Sequence, residues 1–163
     1  MNLQLLGAPL STKSVDGDET VTRFLDDRRN KHVLKKNQKV SAKPRAFYPH
    51  KPSLTLSIQR IHEMAGVERE IWRLADLFLS NPRDHRYRFR GDIVVSSIRS
   101  VGLDVVSVPK PNLRHGDVVN WPKAMGSQDS EEARVAREDF VDSLNALVVA
   151  TKVVDREQEY ESM

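Results

Sequence analysis

In Leu54-Thr55-Leu56-Ser57-Ile58-Gln59-Arg60, apolar and polar residues alternate, and this period of two is the strongest local constraint in the chain. It specifies a strand with one buried face, so a second layer must cover that face. Helical spacing elsewhere supplies the cover. After Gly66, Val67, Ile71, Leu74 and Phe78 share one helical face, and Asn81-Pro82 ends the segment. From Asp129, the residues Ala133, Ala136, Phe140, Leu144, Leu147 and Val148 continue an apolar stripe to about Ala150. Asp129 with Glu132 reads as a variant capping box at the start of that helix.

The segment from Asp92 to Leu103 fits two templates. Its β-branched content favours a strand. Asp92 as an N-cap, the shared helical face of Val94, Ile98 and Val101, and a Gly102-Leu103 C-cap favour a short helix, which is the expectation adopted. Asp104 to Val108 and Val118 to Trp121 read as short strands closed by Pro109-Lys110-Pro111 and Pro122. Trp72 and Trp121 are expected in the core or at its rim. The order strand, helix, short helix, strand, strand, helix describes an α+β fold. It is expected to be a small, mostly antiparallel sheet with helices packed on one side and a long C-terminal helix.

Length and composition bound the rest. A chain of 163 residues suits one domain, and the absence of cysteine excludes disulfides, thiolate metal sites and cysteine nucleophiles. No apolar run approaches the roughly 20 residues of a membrane span, and no basic leader opens the chain, so a cytoplasmic protein without membrane attachment is expected. Charge is unevenly placed. From Arg23 to Lys51 there are ten basic and two acidic residues; from Ser127 to Met163 there are four basic and ten acidic. Such a chain attracts a polyanion at one end or folds one end onto the other. Residues 1–43 hold few apolar anchors, chiefly Phe24-Leu25 and Val33-Leu34, and are expected to form a flexible basic arm. Residues 44–152 are expected to form the single domain and 153–163 an acidic, frayed tail.

Two segments carry chemistry. In Arg114-His115-Gly116-Asp117 a histidine two residues from an aspartate can do acid–base work or share a metal, or simply bond to its own loop. With Arg60 at the end of the first strand, the candidates for a catalytic site are Arg60, Arg114, His115 and Asp117. In the run from Arg83 to Arg90, Arg83, Arg86, Arg88 and Arg90 interleave with Tyr87 and Phe89. That pattern suits phosphate and base contacts, and equally an ion-pairing strand face with its aromatics turned inward. Arg83, Arg86, Tyr87, Arg88 and Arg90, together with Lys35 and Lys36 of the arm, are the candidate nucleic-acid contacts. His32, His50, His62 and His85 show no metal-ligand spacing, and no nucleotide or cofactor motif occurs, so neither metal nor cofactor is expected.

The set Ala46-Phe47-Tyr48-Pro49, Leu56-Ser57-Ile58-Gln59-Arg60, Glu70-Ile71-Trp72, Gly102-Leu103 and Arg114-His115 followed by Trp121-Pro122 resembles a family of short bacterial proteins sharing an RH-x(5)-WP signature. The resemblance spans about residues 44 to 150. It implies a bacterial origin and one small domain, carries no activity, and points to Arg60, Arg114 and His115. The leading expectation is a non-catalytic binding module that uses a basic surface on nucleic acid or an acidic protein partner. The alternatives are a small enzyme acting on a nucleotide or phosphodiester around Arg60, Arg114, His115 and Asp117, and a subunit of a protein complex. The sequence contains no complete nucleophile–base–orienter set and does not indicate an oligomeric state.

Overall fold

The computed structural model describes residues 14–62, 64, 68–79, 86–110, 112–126 and 128–162. Along the chain run β1 (Thr20–Leu25), β2 (Val33–Lys36), β3 (Lys39–Ala42), β4 (Leu56–Arg60), α1 (Glu68–Phe78) and β5 (Phe89–Val94). α2 (Val95–Ser100), β6 (Asp104–Ser107), β7 (His115–Val119), α3 (Glu131–Thr151), β8 (Val154–Asp155) and α4 (Arg156–Glu161) follow. Six strands form one antiparallel sheet in the order β6-β7-β4-β1-β5-β8, and β2 with β3 makes a separate hairpin. The α+β architecture, the antiparallel sheet and the long α3 agree with the sequence pattern.

Successive residues on a strand leave by opposite faces, and the core divides on that rule. Val21 and Leu25 of β1 join Ile58, Phe89 and Ile93 in a cluster that α3 closes with Val141, Leu144 and Val148. Phe24, between them in sequence, joins Ile71, Trp72 and Ala75 of α1 in a second cluster, with Val154 and Tyr160 packed against it. α3 therefore covers one face and α1 with α4 the other. The α3 packing is close: a Cβ added to Gly91 of β5 would stand 2.8 Å from a Val148 methyl group.

Several local expectations are corrected. The basic arm is not loose over residues 20–42. β1 pairs along its whole length with β5 and also with β4, and Val33 and Ala42 anchor the hairpin in the core. The signal was hidden because Arg23 interrupts the apolar pattern of β1; its guanidinium turns inward and donates to the carbonyls of Ala46 and Ser57. The acidic tail is likewise structured, as β8 and α4, with Asp155 and Arg156 buried. The ambiguous stretch is both things in turn: Asp92 to Val94 complete β5, and the short helix starts at Val95 with Val94, not Asp92, as its N-cap. α3 is capped by Ser130, whose Oγ accepts from the Ala133 amide, rather than by Asp129. Asp129 instead binds Lys51 and Arg137. Gly66, Val67 and the Asn81-Pro82 stop lie outside the described residues.

Candidate functional site

The sheet divides the first candidate cluster. Arg60 is opposite Val21 in the register, on the α3 face, and only 1 % exposed. Its Nε and one terminal nitrogen donate to the two carboxylate oxygens of Glu19 at 2.9 and 2.8 Å. Burial would raise the Glu19 carboxyl, but the Arg60 fork, the Asp16 amide and the charges of Arg60 and His62 hold it below the usual range. Arg114 is buried too and donates to the carbonyls of Arg60 and His62. Arg60 thus neutralises a carboxylate of its own fold, and Arg114 binds two of its backbone carbonyls.

His115 and Asp117 leave β7 by the other face, opposite Gln59 and Ser57 of β4. They lie in a strand, not in the proline-flanked loop where the sequence pattern puts them, because β7 starts three residues before the expected Val118. His115 Nδ1 is 2.9 Å from the Val108 carbonyl, which can only accept, so Nδ1 carries the proton. Nε2 then faces Asp117 Oδ1 at 3.7 Å. Gln59, 2 % exposed, buries an Oε1 that has no donor among the described residues. Asp117 pairs with Val106 on its other side, and Val106 is exposed.

The arginine-rich run is committed internally. Tyr87 packs into the α1 cluster with its ring centroid 5.8 Å from that of Phe24. Arg88 makes a two-pronged contact with Asp155 and reaches Glu157. Arg90, buried over the Trp72 ring, holds Asp92 and Glu159, while Trp72 Nε1 donates to Glu159 as well. Arg86 and Arg156 share Asp76. Burial would raise the Asp76 carboxyl, but those two guanidinium groups hold it below its usual range. The acidic C-terminal segment is engaged by Arg88 and Arg90 through Asp155, Glu157 and Glu159, and it meets the basic N-terminal segment through Lys51 and Asp129. Arg83 lies outside the described residues.

The hairpin has the opposite character. Between Arg28 and Arg45 there are eight Lys and Arg and no Asp or Glu. Arg28 binds Asp26, Lys35 binds Asp27, and Lys43 donates to the Asn30 carbonyl. Arg29, Lys31, Lys36, Lys39 and Arg45 are exposed and have no carboxylate partner among the described residues. Lys36 and Lys39 stand directly opposite each other across a two-residue turn, Asn37-Gln38, whose φ angles of 51° and 62° give the left-handed conformation of a tight hairpin. Like charges facing each other across strands are destabilising. Lys35 and Lys36 are among the contacts expected from the sequence; Lys39 is not. The available signal was Asn37-Gln38 as a turn, which folds Lys39 back onto Lys36.

His32 secures the hairpin base, accepting the Asp26 amide at Nδ1. Burial, with the charges of Arg23 and Lys31 close by, pushes its pKa down to about 4. A cleft of about 310 Å³ runs beside the turn, lined by Lys35, Lys36, Asn37, Lys39, Arg88 and Gln158 among others. No group of three His, Cys, Asp or Glu gathers to hold a metal among the described residues. No described helix is long and apolar enough to cross a membrane. No family model, curated protein or solved structure matches the chain.

Proposed function

We propose that this protein is a non-catalytic binding module whose β2–β3 hairpin grips the phosphate backbone of nucleic acid. The observation that carries the reading is the Lys36–Lys39 pair: two cations opposed across a turn, with no carboxylate near enough to pair with either among the described residues. An external anion relieves that repulsion, and phosphates spaced along a strand suit cations spread along a ribbon. Arg29, Lys31 and Arg45 extend the cationic surface toward the hairpin base. A two-stranded β-ribbon is narrow enough for the major groove, and the exposed Asn37 and Gln38 amides offer both donors and acceptors at its tip. Arg86, Arg88 and Arg90, engaged with carboxylates of the same chain, are not part of this reading.

A salt series tests it. Binding of a labelled mixed-sequence duplex, followed by fluorescence anisotropy, is expected to weaken steeply as salt rises. The double variant Lys36→Ala/Lys39→Ala is expected to bind more weakly and to flatten the log–log salt slope by about 1.8, two contacts at roughly 0.9 each. An unchanged slope in the variant removes the hairpin from the site. A poly-glutamate competitor that displaces the duplex at equal charge concentration would transfer the surface to an acidic protein partner.

A further inference from the structure

On the α1 side of the sheet, β4 and β7 place three hydrogen-bond acceptors on one face, and one of them is buried without a donor among the described residues. The first is His115 Nε2. Because Nδ1 spends its proton on the Val108 carbonyl at 2.9 Å, the neutral ring presents a bare lone pair at Nε2. The second is Asp117 Oδ1, 3.7 Å from that nitrogen and beyond hydrogen-bond range. The third is Oε1 of Gln59, the register partner of His115, buried without a donor among the described residues. Residues opposed in the register share a face, so all three side chains leave the sheet on the same side. The Nε2 lone pair and the Asp117 carboxylate repel at 3.7 Å, and a positive centre between them turns the repulsion into attraction.

We propose that His115, Asp117 and Gln59 form a binding site for a divalent transition-metal ion of the zinc type. A carbonyl that fixes the remote ring nitrogen as donor is the usual support of a metal-ligating histidine. Zinc bonds to imidazole nitrogen and carboxylate oxygen are about 2.0–2.2 Å long, and at those lengths a 3.7 Å separation corresponds to an angle of about 120–135° at the metal. His115 supplies the nitrogen ligand, Asp117 the charge, and Gln59 a neutral oxygen, either on the metal or on a water that it holds. With 12 % and 17 % of their side chains exposed, His115 and Asp117 remain open to an entering ion. The sequence concealed this site because only two of its three members belong to the residue types that metal motifs use. The third becomes visible only in the register of β4 against β7.

The test is zinc titration of the full chain, stripped with a chelator and followed by calorimetry, alongside Asp117→Asn, His115→Gln and Gln59→Leu. One equivalent is expected to bind. Asp117→Asn keeps the shape of the side chain and is expected to weaken binding by about tenfold or more, with a smaller loss for Gln59→Leu. Cobalt added to the wild type should give a visible ligand-field band that Asp117→Asn lacks. The inference is overturned if no zinc binds at a one-to-one ratio, or if Asp117→Asn, shown to be folded by its melting curve, binds zinc as tightly as the wild type. It is also overturned if His115 instead takes up a proton beside Asp117, seen by NMR, while zinc leaves its resonances unmoved.

Discussion

At the scale of single residues, most of the strongly placed charges serve the fold. Arg60 with Glu19, Arg90 with Glu159 and Arg23 with two carbonyls each bury a guanidinium by satisfying it. From the sequence these arginines look like surface, since their partners are 41, 69 and 23 or more residues away. That distance is why two of the four catalytic candidates, Arg60 and Arg114, were legible as unusual but not as structural. His32 gives a residue-scale prediction. Its folded pKa of about 4 lies below the usual 6.5, so between those values the unfolded chain takes up a proton that the native state refuses. Stability from this group is full above pH 6.5 and declines as pH falls toward 4, by up to about 1.4 kcal/mol per pH unit. His32→Asn, which keeps an acceptor for the Asp26 amide, is expected to flatten that part of the curve by one proton in urea unfolding between pH 4 and 7. An undiminished slope would show that His32 does not titrate differently on folding.

Among the elements, legibility followed how cleanly one physical period filled a segment. β4 and α3 are readable because alternation in the first and a helical stripe in the second dominate, although the buried face of α3 is Ala133, Arg137, Val141, Leu144 and Val148, with Ala136, Phe140 and Leu147 only half-buried beside it. β7 was placed too late because Gly116 and Asp117 carry no apolar signal, although Gly116 sits where a Cβ would stand 2.8 Å from the Val106 carbonyl. β1 was missed altogether. It occupies an interior position in the sheet and supplies residues to both hydrophobic clusters, Val21 and Leu25 to one and Phe24 to the other. Deleting residues 1–43 is therefore expected to separate β4 from β5, expose both clusters and abolish the cooperative melting transition. Circular dichroism on heating checks this directly: a sharp transition in the truncated chain would mean that the sheet closes without β1.

For the molecule as a whole, the charge division read from the sequence resolves into two distinct uses. The acidic C-terminal segment is taken up by Arg88 and Arg90, which seals α4 and β8 against the sheet. In the basic stretch between Arg28 and Arg45 only Arg28 and Lys35 have a carboxylate partner among the described residues, and Lys36 and Lys39 oppose each other on the hairpin. A reading by charge alone gave both basic segments to nucleic acid; only tertiary pairing separates the internally compensated one from the open one. The proposed binding surface is the β2–β3 hairpin. The most direct measurement is a backbone-amide NMR titration of the full chain with a short duplex. Perturbed resonances are expected from Arg28 to Arg45, largest around Lys36 to Lys39, with Arg86 to Arg90 unmoved. Perturbations centred on Arg86 to Arg90, or none in the hairpin at saturating duplex, would contradict it.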